Sequence, residues 1–395
     1  MLKSSFTTNI NFTTEFTTLE HILIAKTCIF AKTIQKLMTL IKSISGIRGT
    51  IGGKPNVNLT PIDTVKFAAA YGTWLKDYSK SDKLKVVVGR DARLSGEMIQ
   101  NLVVSTLVGL GIDVIDLGLS TTPTVEIAVP LEKAHGGIIL TASHNPKQWN
   151  ALKLLNEKGE FLDAAQGAII LELAEKEDFY FSEVDELGTI TKNNAYIDIH
   201  IDEVLNLPLI NANTIKKAGF KVVVDGVNST GGIAIPKLLE SLGVEVVKLY
   251  CEPTGHFPHN PEPLKEHLGD ICELVVKEKA DFGIVVDPDV DRLAFICNDG
   301  EMFGEEYTLV ACADYVLGKT KGNTVSNLSS SRALRDITVN HGGQYEAGQD
   351  SRRPKRRDGT RCQHPKNRGS ELPRSASAPG NQGALRSESP RSLDP

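Results

Sequence analysis

Lys85-Val-Val-Val88 and Lys221-Val-Val-Val224 open two stretches of chain that read almost alike. After the first, a helical stretch runs through Glu97 to Leu110, and Gly111-Ile-Asp-Val-Ile115 begins the next strand. After the second, Asn228-Ser-Thr-Gly-Gly leads into a helical Ile235 to Leu242, and Gly243-Val-Glu-Val-Val247 follows. A third copy starts at Asn323-Thr-Val, passes Ser329-Ser-Ser-Arg332 and a helical Ala333 to Asn340, and reaches Gly342-Gly-Gln-Tyr-Glu346 without completing the unit. Strand, loop, helix, glycine and strand, repeated, predict an α/β protein of tandem domains with mixed sheets.

The chain has 395 residues, enough for two or three domains that each bury a core. No apolar run approaches the roughly 18 to 20 residues that cross a bilayer, and the N-terminus lacks the pattern of a secretory signal. A cytoplasmic protein without a membrane partner is expected. The cysteines, Cys28, Cys251, Cys272, Cys297, Cys312 and Cys362, form no Cys-x-x-Cys pair, so neither a zinc site nor a disulfide framework is indicated. The net charge of −5 is uneven: residues 349–395 hold eleven Lys and Arg against five Asp and Glu. The preceding chain is acidic and offers no basic face for nucleic acid.

From Gln349 onward there is no Val, Ile, Phe, Tyr, Trp or Met, while Arg, Ser, Pro, Gly and Gln dominate. Such a segment cannot bury enough apolar surface to offset its ordering entropy, so residues 349–395 are expected to be a disordered basic tail. The abrupt switch reads as a shifted frame or a chimeric join. A basic tail that binds nucleic acid or a membrane is the alternative, carried by Arg352-Arg-Pro-Lys-Arg-Arg357 but lacking aromatic residues to stack on bases. Residues 1–37 are expected to be an extraneous or disordered leader, with Met38 the start of the functional protein and organelle targeting the alternative.

Two polar clusters carry the chemistry. Gly136-Gly-Ile-Ile-Leu-Thr-Ala-Ser143-His144-Asn145-Pro146 delivers a serine from an apolar strand onto a small-residue turn, beside an imidazole and a carboxamide. Alone it is a polar turn like many others. The second cluster, Phe282-Gly-Ile-Val-Val-Asp287-Pro-Asp289-Val-Asp291-Arg292, offers hard oxygen ligands to a divalent cation, with a guanidinium suited to phosphate. Together they suggest phosphoryl transfer. Counted from Asp287 as a calcium loop, position six is Arg292 and position twelve Asn298, which excludes an EF-hand. A haloacid-dehalogenase-like phosphatase, with Asp287 as nucleophile, is a rival; Asp291, standing where that family places Thr or Val, favours metal chelation instead.

With Ser45-Gly-Ile-Arg-Gly49 and Gly89-Arg-Asp-Ala-Arg93, these clusters occur in the order found in the α-D-phosphohexomutases, and the chain resembles that family from about Met38 to Ala347. The resemblance implies domain 1 over 38–198 with the phosphoserine loop, domain 2 over 199–300 with the metal loop, and a partial domain 3 over 301–348. It implies a phosphohexose mutase moving a phosphoryl group between O1 and O6 through phosphorylated Ser143 and a sugar 1,6-bisphosphate. Mg²⁺ is then held by the Ser143 phosphate with Asp287, Asp289 and Asp291. By the same resemblance Arg48, His144 and Lys153 belong near the phosphoserine, Asn145 orients the loop, and Arg292 lies close to the transferred phosphoryl group. Read without the family, Arg48 is a solvated turn residue and Lys153 an edge-strand lysine. Asn150-Ala151 stands where the family has Asn-Gly, and alanine is poor at positive φ.

The family's Gly-Glu-x-Ser/Asn-Gly sugar loop and Arg-x-Ser-Gly-Thr phosphate loop do not occur in these residues; Gly304-Glu305-Glu306-Tyr307 is read as interdomain structure. A truncated mutase with negligible turnover is therefore expected. Phosphoglucosamine mutase is the leading parent activity, ahead of phosphomannomutase and phosphoglucomutase, and a non-catalytic gene fragment is the rival from another class. The partner is a phosphosugar; which hexose, and the oligomeric state, are left open.

Overall fold

The computed structural model describes residues 38–348 except 44–45, 80 and 328–329, so the leader and the basic tail lie outside the described residues. The first repeat builds on strands β1 (Ile41–Ser43), β2 (Gly46–Thr50), β3 (Lys85–Arg90), β4 (Asp113–Leu119), β5 (Gly136–Leu140), β6 (Trp149–Leu155) and β7 (Ile190–Lys192). They form one sheet in the order β1-β2-β6-β5-β3-β4-β7. Strands β5, β3, β4 and β7 run parallel, while β6 pairs antiparallel with both β5 and β2, so the sheet is mixed.

The valine run explains how this sheet is covered. Side chains alternate across a strand. Val86 and Val88 point into a core shared with Phe67, Ile99 and Leu107 of helices Pro61–Ser79 and Gly96–Gly109, whereas Val87 enters a second core with Val125 and Val129 of helix Thr122–Leu131. Both faces are dry, which is why the run shows no polar alternation. Helix Ala164–Lys176 joins the first face through Ile170 and Ala174, and is started by an Asp163–Gln166 capping box.

The second repeat gives β8 (Lys221–Asp225), β9 (Glu245–Leu249), β10 (Phe282–Val286) and β11 (Leu293–Cys297), in the order β11-β10-β8-β9, with only β11 antiparallel. Val222 and Val224 face Leu239 of helix Gly231–Ser241, and Val223 faces Ile271 and Val275 of helix Gly269–Glu278. The third repeat supplies a two-stranded parallel sheet, β12 (Thr324–Ser326) with β13 (Tyr345–Ala347), packed with helices Glu305–Lys319 and Ala333–Asn340. The Gly304–Tyr307 stretch read as interdomain structure runs into the first of these helices.

Helix Tyr196–Leu205 runs across position 198. Its first residue, Tyr196, is buried in the core of the first sheet, and its last, Leu205, packs against that of the second. Among the described residues, no helix is long and apolar enough to cross a membrane.

Candidate functional site

The serine turn leaves the carboxyl end of β5 and the acidic loop leaves the carboxyl end of β10, the ends where open α/β sheets hold their ligands. Although 144 positions apart in sequence, the two loops meet: the Ser143 hydroxyl donates to Asp287 Oδ2 at 2.6 Å and lies 3.4 Å from Asp291 Oδ1. His144 Nδ1 is 3.3 Å from the same hydroxyl.

Ser143 sits at φ +50°, a left-handed conformation uncommon outside glycine, and Val290 in the facing loop at +63°. Arg93 explains how the serine turn is held so. Its side chain is fully buried, and all five N–H donors are used: Nε to Asp91 Oδ2 (3.0 Å), Nη1 to the carbonyls of Pro146 (2.8 Å) and Trp149 (3.0 Å), and Nη2 to those of Ser143 (2.5 Å) and Asn145 (2.6 Å). The planar guanidinium thus grips the turn from beneath. Asp91 also accepts from Thr141 Oγ1 at 2.7 Å; burial pushes its carboxyl upward, against the pull of Arg93 and Thr141.

The acidic loop is held as tightly. Ser229 and Thr230 hydroxyls both donate to the Pro288 carbonyl, at 2.7 and 2.8 Å, and Ser229 Oγ also accepts from Ala92 N at 3.3 Å. Asp287 Oδ1 accepts the N–H groups of Asp291 (3.1 Å) and Arg292 (3.0 Å). Asp287, Asp289 and Asp291 each bring an oxygen within 4.8 Å of the others, and Asp289 Oδ1 is buried without a hydrogen-bond partner. Burial, then Asp289 and Asp291, pushes Asp287 well above the ordinary carboxylate range. Three crowded carboxylates, two of them buried and one of these with an orphaned oxygen, fit a divalent cation.

Lys153 is an interior residue of β6, between β2 and β5, rather than an edge-strand lysine. Its Nζ donates to Asp289 Oδ2 (2.7 Å) and Asp291 Oδ2 (2.8 Å). Burial works against its charge, but the two aspartates outweigh it and hold the ammonium pKa above the usual lysine value. Burial, then Arg292, lowers the His144 pKa and so favours its neutral imidazole.

Arg48 is a β2 residue, paired in register with Ala151, rather than a solvated turn residue, and its Nε is buried without a partner. Gly46 is required beside it: φ is +121°, and a Cβ there would come within 2.3 Å of the Leu152 carbonyl. Ala151 lies in the extended backbone of β6, so alanine in place of glycine imposes no positive-φ strain. A cavity of about 240 Å³ is lined by Arg48, Ser143, His144, Asn145, Lys153 and Asp291, among others. Asn145 meets Arg93 through its main chain, while its Oδ1 is buried without a partner. Arg292 pairs with Glu262 at 3.0 Å.

Sequence reading missed Arg93, Ser229, Thr230 and Thr122. The signal for Arg93 was an Asp-x-Arg just past the buried valine run of β3, where charges have little water to turn to. Thr122 donates to Asp289, 167 positions away, and no local pattern announces that.

Residues 40–181 match the family described as phosphoglucomutase/phosphomannomutase, alpha/beta/alpha domain I, and residues 198–300 match domain II of the same family. The chain is 39% identical over 298 residues to the phosphoglucomutase/phosphomannomutase of Thermococcus kodakarensis, covering 74% of this chain and 64% of that one. It is 35% identical over 304 residues to a protein of Pyrococcus horikoshii named "Probable phosphoglucosamine mutase", covering 76% and 63%. The chain thus spans a little under two thirds of the length of these relatives. A crystal structure of a phosphoglucomutase/phosphomannomutase family protein from Burkholderia thailandensis superimposes with a TM-score of 0.66 at 25% identity, over 78% of this chain and 66% of that one.

Proposed function

Because the chain belongs to the α-D-phosphohexomutase family, we propose that Ser143 carries a phosphoryl group and exchanges it with a hexose phosphate, isomerising O1- and O6-phosphates through a 1,6-bisphosphate. The observation that carries this reading is the Ser143 hydroxyl 2.6 Å from Asp287, with Lys153 bridging Asp289 and Asp291 alongside. Phosphoglucosamine mutase is the parent activity we favour, supported by the relative from Pyrococcus horikoshii; the 39% identity to a phosphoglucomutase/phosphomannomutase keeps glucose and mannose phosphates as the next substrates to assay.

In the forward half-reaction a sugar hydroxyl oxygen attacks phosphorus, the phosphorus–Oγ bond of phosphoserine breaks, and Ser143 Oγ is left to take up a proton. The proton lost by the sugar hydroxyl ends on Ser143 Oγ, and His144, with Nδ1 3.3 Å from that oxygen, is the group that hands it over and, when Ser143 attacks in the return step, takes it back. Lys153 stays cationic throughout and stabilises the negative charge spread over the phosphoryl oxygens. Arg48 and Asn145, lining the same cavity, bind phosphate and sugar oxygens. Arg292, fixed by Glu262, meets the far side of the phosphoryl group. Mg²⁺ is the cation we assign to Asp287, Asp289 and Asp291, and it neutralises the serine phosphate when bound.

The dehalogenase-like alternative is disfavoured by the setting of Asp287. Its Oδ1 is engaged by two backbone N–H groups and its Oδ2 by Ser143, the wrong arrangement for an attacking carboxylate. Incubation with glucose 1,6-bisphosphate followed by intact-mass measurement tests the central step. One added phosphate is expected on the wild type and none on Ser143→Ala; label retained by that variant and mapped to Asp287 would reverse the assignment.

A further inference from the structure

Asp289 is fully buried, and its two carboxylate oxygens live in different surroundings. Oδ2 accepts from Thr122 Oγ1 at 2.6 Å and from Lys153 Nζ at 2.7 Å, while Oδ1 has no partner. A carboxylate oxygen has about two acceptor sites, so Oδ2 is saturated and only Oδ1 can meet a cation. The loop carrier is fixed as well, because Thr122 N donates to the Asp289 main-chain oxygen at 2.8 Å.

The neighbouring ligands follow the same rule. Asp287 Oδ1 is saturated by two backbone N–H groups, leaving Oδ2, whereas Asp291 Oδ2 accepts from Lys153 alone and keeps a second acceptor site. Asp287 and Asp289, the two buried carboxylates, therefore present one oxygen each. Ca²⁺ takes six to eight oxygens and commonly binds a carboxylate through both; Mg²⁺ demands a small octahedron of single oxygens. Among the groups that occupy the second oxygens, Thr122 is the one whose side chain has no other task at the site. It comes from the helix packed on the first sheet, yet acts on a loop of the second.

We infer that Thr122 is a positioning residue that confines Asp289 to one oxygen and thereby makes the acidic loop discriminate for Mg²⁺ against Ca²⁺. The inference rests on the metal assignment proposed above. Thr122→Val keeps the β-branched shape and the backbone N–H but removes the hydroxyl donor, so Oδ2, left with Lys153 alone, regains one acceptor site and Asp289 can bind through both oxygens.

The test is binding of Mn²⁺ to the full chain, followed by electron paramagnetic resonance, with displacement by Mg²⁺ or Ca²⁺. Wild type should prefer Mg²⁺ to Ca²⁺, Thr122→Val should lose about tenfold of that preference, and Thr122→Ser should retain it. Unchanged preference in Thr122→Val overturns the inference while leaving the metal site standing, provided Asp289→Asn weakens Mn²⁺ binding. Absence of Mn²⁺ binding to wild type overturns both. Should Thr122→Val fail to fold, wild type alone decides: equal affinity for Ca²⁺ and Mg²⁺ sinks the role given to Thr122.

Discussion

Replacing Arg93 by methionine keeps most of the side chain's length and removes all five donors. Asp91 then stays buried at 0% exposure without its cation, and the carbonyls of Ser143, Asn145, Pro146 and Trp149 lose their shared partner. Breaking one side of a buried ion pair costs about 3 to 5 kcal/mol, and each buried acceptor left unmatched adds about 1 kcal/mol or more unless water reaches it. These losses overlap, because relaxation of the turn relieves several together, so we expect about 4 to 6 kcal/mol for Arg93→Met. At a urea slope of roughly 2 kcal/mol per molar, the unfolding midpoint falls by about 2 to 3 M. Both tryptophans of the chain, Trp74 and Trp149, lie in the first sheet and its helices, so their fluorescence reports on this domain alone. Adding Asp91→Asn to Arg93→Met should recover part of the loss, since the uncompensated charge is gone. A midpoint within about 0.5 M of wild type for Arg93→Met would refute the claim that one guanidinium holds the serine turn.

Asp289→Asn should weaken Mg²⁺ binding at least tenfold by calorimetry, and more so when Ser143 is phosphorylated, because the phosphate adds charge and an oxygen ligand; equal affinities would remove the acidic loop from the site. Burial, with Asp291 and Asp289 adding to it and Lys153 opposing, pushes the Glu126 carboxyl up to about 7. A carboxyl raised above its unfolded value of 4.5 supports the fold fully below that pH and loses this contribution as pH rises through about 7. Glu126→Gln should therefore flatten the metal-free stability profile across that window, and a profile identical to wild type would show that Glu126 does not titrate there.

The two valine runs and the glycines that close their units were sufficient to place β3, β4, β8 and β9 with their helices, because buried α/β repeats write their strands as unbroken apolar segments. The serine turn and the acidic loop were legible for a related reason: polar residues directly after such strands fall at the carboxyl end of a sheet. What lay beyond reach was everything made by contact between repeats. The Thr122–Asp289 and Ser229–Ala92 bonds join residues more than 130 positions apart, and nothing near either partner encodes the other. Lys153 misled for the opposite reason, since a lone lysine in an apolar strand looks like an edge until its two aspartates are seen.

Helix Tyr196–Leu205 has a consequence for anyone who would take this protein apart. Tyr196 completes the core of the first sheet and Leu205 lines that of the second, so one short rod belongs to two neighbours at once. A gene fragment ending at 198 strips Ile201, which is buried, from whatever remains, and a fragment beginning at 199 strands Leu205 on a helix without its first turn. The two sheets are therefore not interchangeable cassettes. Recombination between relatives is expected to succeed when the crossover lies on either side of this helix and the whole rod travels with one parent, and to fail when it falls within the rod.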